Sequence, residues 1–70
     1  MTLEAAVWNE QLNRALRRNP EREAQLVRDC HEVLDLLGAD GEWTDAADRR
    51  ARQAFGDVGR DLGLGDPPWD

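Results

Sequence analysis

Residues 19–38, NPEREAQLVRDCHEVLDLLG, decide the fold, because the start, the buried face and the end of one helix can be read from them. Asn19 is a residue type that caps helix N-termini, and the ring of Pro20 presets the φ angle of a first helical position. Two glutamates follow where the helix dipole is positive. Gly38 is expected to turn left-handed past the helix end.

The apolar residues of this stretch recur at helical spacing. They are Leu26, Cys30, Val33 and Leu37, with Val27 and Leu34 beside them. Spacings of three and four place these side chains on one face of a helix, which is the pattern of a helix packed on a core. We therefore predict an amphipathic helix over residues 20–37.

Two further helices are predicted on either side of this stretch. Apolar residues at helical spacing run through 3–18 after the N-cap candidate Thr2, and through 45–62 after the N-cap candidate Thr44. Gly56 and Gly59 each cost about 1 kcal/mol in a helix interior. The periodicity continues through both glycines, so the third helix is predicted as one helix with a weak second half.

The sequence thus predicts an all-α fold, a compact three-helix bundle with helices at about 3–18, 20–37 and 45–62. Residues 1–62 are expected to form the single domain, and the Gly- and Pro-rich residues 63–70 an extended C-terminal tail. A chain of 70 residues has a small core. A homodimer through the stripe of the second helix, burying Cys30 against its mate, would enlarge that core.

The composition argues against the common catalytic chemistries. The chain has no Ser, no Lys and no Tyr, so serine acyl-enzymes, Schiff-base lysines and tyrosine acids are unavailable. Cys30 and His31 are the only soft metal ligands, and one Cys with one His cannot close a zinc site. In the turn at 38–42 only Asp40 fits a calcium loop. We expect no enzyme activity, no cofactor and no metal, with Cys30 and His31 serving in packing.

The net charge of −6 indicates the kind of partner. An acidic chain repels phosphate backbones, so direct nucleic-acid binding is not expected, whereas a larger protein with a basic surface is attracted. The N-terminus has no cationic region, and no run approaches the roughly 18 apolar residues that span a bilayer. With one cysteine the chain is expected to be cytoplasmic and away from membranes.

Acidic residues mark the first group of candidate partner contacts. Asp57 and Asp61 share a face of the third helix with no Arg one turn before them, and Asp66 extends the same charge. Such a face is either solvated or an electrostatic docking face for a basic partner, one form of which mimics nucleic-acid phosphates.

The tryptophans differ in their expected roles. Trp8 lies on the stripe of the first helix and is expected in the core, and Trp43 is expected to pack back over the turn before the third helix. Trp69, in the proline-stiffened tail, either folds onto the bundle or anchors another protein. The full set of candidate partner contacts is Asp57, Asp61, Asp66, Trp69, Trp43 and Glu42.

Residues 36–43, LLGADGEW, and residues 51–55, ARQAF, resemble the three-helix peptidoglycan-binding domains. The shared features are a Leu-Gly helix end, an Asp-Gly turn and a following helix with an Ala-x-x-Phe-like core. The resemblance covers about half of the chain, and here the turn is several residues shorter and lacks the family's second Gly and Pro. It implies a cell-wall ligand bound around residues 40–43.

The function expected from the sequence is a small acidic protein–protein interaction module. It would act as an inhibitor, adaptor or accessory subunit of a larger basic protein, one form being a phage-encoded anti-CRISPR-like inhibitor or nucleic-acid mimic. The alternatives are a peptidoglycan-binding-like ligand module, an accessory subunit that completes an enzyme complex, and a small carboxylate enzyme with His31 as its neutral-pH base.

Overall fold

Three helices connected by short turns make up the described chain. The computed structural model describes residues 2–68, and this part contains α1 (Leu3–Arg17), α2 (Pro20–Asp35), α3 (Asp45–Asp61) and no strand. The predicted all-α three-helix fold is confirmed. The molecule measures 35 × 28 × 15 Å along its principal axes, so it is thin in one direction.

Each helix begins at the residue that the sequence indicates. The side-chain oxygen of the N-cap accepts a hydrogen bond from the backbone N–H three residues later, which is worth about 1 kcal/mol per helix. The pairs are Thr2 and Ala5 at 3.1 Å, Asn19 and Arg22 at 3.2 Å, and Thr44 and Ala47 at 3.1 Å. All three predicted N-caps are confirmed.

The end of α2 differs from the prediction. The helix ends at Asp35 rather than at residue 37, and the C-cap residue Leu36 remains right-handed, with a φ of −95°. Gly38 is not among the described glycines with positive φ, so its predicted left-handed role is wrong. Its backbone N–H instead bonds to the Glu42 carbonyl at 2.9 Å, and a Cβ on Gly38 would lie 3.2 Å from that of Glu42. Gly38 therefore permits a close approach across the turn.

The left-handed glycine cap occurs at the end of α3. Gly63 has a φ of +75°, and its N–H bonds to the carbonyl of Arg60 at 3.2 Å. The N–H of Leu64 bonds to the carbonyl of Gly59 at 2.7 Å, which completes a Schellman motif. Leu64 also packs against the core. Residues 63–66 thus turn back towards the bundle.

The core has two parts. The larger one joins α1 to both other helices and consists of Trp8, Leu12, Leu16, Leu26, Ala54 and Val58, with Cys30, Phe55, Leu62 and Leu64 packed against it. The smaller one lies between α2 and α3 and consists of Val33, Ala47 and Ala51, with Leu37 against it. Alanines on α3 let α2 approach closely at this end. The core position predicted for Trp8 is confirmed.

The two glycines inside α3 have different surroundings. A Cβ on Gly59 would overlap the carbonyl oxygen of Gly65 and lie 2.8 Å from Cζ2 of Trp8. A Cβ on Gly56 would meet nothing closer than the Arg60 guanidinium, at 3.5 Å. Gly59 is therefore needed where α1 and the C-terminal segment converge on α3, whereas the space at Gly56 accepts a methyl group.

We predict opposite stability effects for the matched variants Gly56→Ala and Gly59→Ala. Gly56→Ala should stabilise the fold by roughly 0.5–1 kcal/mol through helix propensity. Gly59→Ala should destabilise it by about 1–3 kcal/mol, because backbone must move to admit the methyl group. Urea unfolding followed by circular dichroism measures both. Equal effects of the two substitutions would contradict the close contact at Gly59.

A buried carboxylate links α2 to α3. Asp29 is only 7% exposed, and its Oδ1 accepts hydrogen bonds from Nε2 of Gln25 at 3.1 Å and Nη2 of Arg50 at 3.0 Å. Nε of Arg50 also donates to Oε2 of Glu32 at 2.9 Å. The hydrogen bond that Arg50 donates to Glu32, with the charges of Glu32 and Asp29, raises the pKa of Arg50. Arg50 therefore stays charged and compensates the buried Asp29.

Arg50→Met should destabilise the fold by about 3 kcal/mol, because it leaves the Asp29 carboxylate buried without its cation. The double variant Arg50→Met with Asp29→Leu should recover most of that loss, since no charge is then buried. Denaturant unfolding of the wild type, both single variants and the double variant measures the coupling. Additive effects of the two substitutions would show that this ion pair does not link the helices.

Candidate partner-binding surface

The predicted contact residues lie in two separate places. Asp57, Asp61 and Asp66 lie at the C-terminal end of α3, whereas Glu42 and Trp43 precede its N-terminus. The 17-residue helix between them is about 25 Å long. The two groups therefore form two surfaces. Trp69, the remaining predicted contact, lies outside the described residues.

The three aspartates at the C-terminal end are ion-paired. Nη2 of Arg60 lies 2.6 Å from Oδ1 of Asp57, and Nη1 of Arg60 lies 3.0 Å from Oδ1 of Asp66. Nε of Arg22, from α2, lies 3.1 Å from Oδ2 of Asp61. A cation from a partner protein would have to compete with an arginine of this chain at each of these carboxylates.

The groove beside these pairs is electrostatically balanced. It lies between α2 and α3, has a volume of about 600 Å³ and is shallow. Its lining contains three arginines, three aspartates and two glutamines: Arg22, Arg50, Arg60, Asp29, Asp57, Asp61, Gln25 and Gln53. Because the charges cancel, this groove offers no strong attraction for a charged ligand.

The turn between α2 and α3 is held by a set of short hydrogen bonds. Gly41, with a φ of +78°, donates its N–H to the carbonyl of Gly38 at 2.9 Å. The hydroxyl of Thr44 donates to the carbonyl of Leu36 at 2.6 Å while it accepts the N–H of Ala47. A single side chain thus fixes the end of α2 and the start of α3. The turn that carries Trp43 is thus tied to both helices.

Trp43 is exposed on this turn, so the prediction that it packs back as core closure is wrong. Trp43 is 60% exposed. The core at this end of the molecule is already closed, because Ala47 and Ala51 pack directly against α2. The indole Nε1 donates to Oδ1 of Asp48 at 3.3 Å. Oδ2 of Asp48 accepts a hydrogen bond from Nε of Arg52 at 2.8 Å. The exposed indole is therefore anchored to α3.

The excess negative charge of the chain is concentrated around this tryptophan. Residues 35–48 contain five acids and no arginine, whereas the other 56 residues carry ten acids and nine arginines. Within residues 2–68, only Asp48 of these five acids forms an ion pair. We call the set Asp40, Glu42, Trp43, Asp45 and Asp48 the acidic turn surface.

Asp48 is held in its ionised form. Its hydrogen bond with Arg52, followed by that with Trp43, lowers the pKa of its carboxyl below the usual value. A carboxyl with a lowered pKa in the folded state contributes stability above its unfolded pKa and loses that contribution as the pH falls through its folded pKa. The anchor of Trp43 therefore persists at neutral pH.

The indole N–H resonance of Trp43 should report this titration. We expect it to shift on acidification with a midpoint below about 3.9, the ordinary value for an aspartate. The Asp48→Asn variant should lack that step, and Asp57→Asn, at the other end of α3, should retain it. Proton–nitrogen NMR spectra recorded between neutral and acidic pH measure the midpoint. A midpoint at or above the ordinary value would contradict the bond to Asp48.

Cys30 and His31 are the remaining residues that could carry other chemistry. Cys30 is half-buried, and burial, followed by the charge of Asp29, raises the pKa of its thiol. His31 is exposed. Within residues 2–68, no three His, Cys, Asp or Glu side chains are arranged to hold a metal ion, and no helix is long and apolar enough to cross a bilayer.

The sequence pattern indicated Glu42 and Trp43 of the acidic turn surface, but not the grouping of Asp40, Asp45 and Asp48 around them. The docking face at Asp57, Asp61 and Asp66 stays a prediction. The overlooked signal was the absence of any arginine from residues 35–48. The pairing of Asp61 with Arg22, 39 positions away, had no local signal.

Comparison of the chain with protein-family models, curated proteins and solved structures finds no significant match. The resemblance of residues 36–43 and 51–55 to peptidoglycan-binding domains stays a prediction.

Proposed function

We propose that this protein is a non-enzymatic interaction module that docks onto a basic surface of a larger protein through the acidic turn surface. The observation that carries the proposal is Trp43, which is exposed yet anchored by its hydrogen bond to Asp48. The module would serve as an inhibitor, an adaptor or an accessory subunit.

The anchored indole has the properties of an interface hot spot. Tryptophan is enriched among the residues whose truncation costs the most binding energy. Binding also costs entropy when side chains become ordered at the interface. Asp48 already holds the Trp43 ring, and Thr44 holds the turn. The entropy cost of ordering the Trp43 side chain on binding is therefore smaller. The apolar ring supplies contact area, and the surrounding carboxylates supply selectivity.

The charge of the surface defines the partner. Asp40, Glu42 and Asp45 form no ion pair within the described residues and are exposed, so they are available to lysine or arginine side chains of another protein. A cluster of one sign accelerates encounter with an oppositely charged surface and disfavours acidic partners. An arginine or lysine can also stack on the face of Trp43. A partner with a nucleic-acid groove has the required basic surface, and the acids would occupy it in place of phosphates.

We expect the C-terminal aspartates to contribute less to binding than the acidic turn surface. Asp57, Asp61 and Asp66 stay predicted contacts, but each already pairs with Arg22 or Arg60. Exchange of one exposed ion pair for another gains little free energy, on the order of 0–1 kcal/mol. Neutralising these aspartates should therefore weaken binding less than changing the acidic turn surface.

Trp43→Ala should reduce the affinity for the partner at least about tenfold, which is the effect of losing a hot spot. The partner would be captured from cells with the tagged wild-type protein, purified, and its dissociation constant measured by calorimetry at two salt concentrations. Leu3→Ala is the matched control, because Leu3 is 81% exposed at a different part of the molecule. The pair Glu42→Lys with Asp45→Lys should weaken binding and reduce its salt dependence.

Full retention of affinity by Trp43→Ala would contradict the proposal. The proposal would also be contradicted if the double variant Asp57→Asn with Asp61→Asn weakened binding more than the double variant Glu42→Lys with Asp45→Lys. Muropeptide is added separately to the nitrogen-labelled protein. If it shifts the resonances of residues 40–43 and no protein partner is captured, the surface is a ligand site and the interaction module is wrong.

A further inference from the structure

A second exposed surface lies on α2, away from the acidic turn surface. It is an apolar groove of about 210 Å³ between the C-terminal part of α1 and α2. Its lining residues are Leu16, Leu26, Val27, Cys30, His31 and Leu34, with Glu23 at one end. Val27 is 50% exposed and Leu34 is 59% exposed. The groove therefore leaves a stripe of apolar side chains in water.

We infer that a second copy of this chain covers the groove, with the two α2 helices packed antiparallel about a twofold axis. The axis would pass between Cys30 and His31. Val27 of each copy then lies opposite Leu34 of the other, because the two positions are equally distant from the axis along the helix. Both exposed apolar residues are buried by one symmetric contact, as an isologous interface requires.

Charge complementarity selects this occupant and this orientation. Arg28 and Asp35 lie on the same flank of α2, beside Val27 and Leu34, and both are exposed. Arg28 hydrogen-bonds to Gln25 at 2.8 Å, and neither residue forms an ion pair within residues 2–68. In the antiparallel arrangement Arg28 comes within two residues, or about 3 Å of helix rise, of Asp35 of the second copy. A parallel twofold arrangement would place Arg28 of one copy and Asp35 of the other on opposite flanks of the helix pair, so it offers no such ion pair.

The small size of the domain favours a second copy as the occupant. The molecule is only 15 Å thick in its shortest dimension, and Val27 and Leu34 of the α2 stripe are exposed. A domain of this size has a small core, and a second copy supplies a further helical layer over Leu26 and Cys30. The acidic turn surface does not line the groove, so both surfaces can be occupied together.

Sedimentation velocity over a series of protein concentrations tests the dimer. The wild-type protein should sediment as a dimer, and Leu34→Glu should raise the dissociation constant at least about tenfold by burying an unpaired charge. Leu3→Glu is the matched control, because Leu3 is more exposed and lies outside the groove. Circular dichroism confirms that both variants fold. A monomeric wild type, or equal behaviour of the two variants, would overturn the inference.

Cysteine cross-linking tests the orientation in a Cys30→Ala background. Val27→Cys protein mixed with Leu34→Cys protein should form a disulfide-linked heterodimer on oxidation. The antiparallel register places these two positions opposite each other, and a disulfide needs Cα atoms within about 7 Å. Val27→Cys protein alone should not cross-link. Self-cross-linking of Val27→Cys would overturn the antiparallel register.

Charge reversal supplies an independent measurement of the same contact. Arg28→Glu alone and Asp35→Arg alone should each weaken the dimer, and the double variant should restore it. Failure of the double variant to restore the dimer would overturn the proposed pairing. The dimer is separable from the proposed function, because Trp43→Ala should leave sedimentation unchanged while it reduces partner affinity.

Discussion

The hydroxyl of Thr44 joins the ends of two helices, and the arrangement of the candidate surface depends on it. It donates to the carbonyl of Leu36, the C-cap of α2, and accepts a hydrogen bond from the N–H of Ala47 in the first turn of α3. Backbone groups at helix ends have no partner within their own helix, so one side chain satisfies one such group at each end. The turn between the helices is short and closed. Trp43 therefore has a fixed place beside α3 rather than a place in the core.

Acidic side chains are paired with arginines in one part of the molecule and lack arginine neighbours in sequence in another. Along the α2–α3 contact, carboxylates are matched with arginines, and Asp29 with Arg50 is the buried example. Around the turn, acids occur without arginines, and their mutual repulsion has no compensation from α2 or α3 except at Asp48. Repulsion of this kind lowers the stability of a small domain. A basic partner would relieve it, which connects the distribution of charge to the proposed function.

The elements that the sequence predicted correctly depend on local chemistry, and those it missed depend on contacts between distant residues. The caps at Thr2, Asn19 and Thr44 and the core position of Trp8 follow from residue type and helical spacing. The requirement for glycine at position 59 arises from Trp8 and Gly65, which no periodicity reveals. The exposure of Trp43 follows from the tight alanine contact between α2 and α3. Asp29 was detectable, because it lies between Leu26 and Val33 on the predicted buried face.

The most direct test of the account is a map of where a basic ligand contacts this protein. An arginine-rich decapeptide is titrated into the nitrogen-labelled protein, and amide and indole shifts are followed by NMR. We expect the largest shifts on residues 40–48 and on the indole of Trp43, with smaller shifts near Asp57 and Asp61. Shifts concentrated on those two aspartates, or none at the indole, would contradict it.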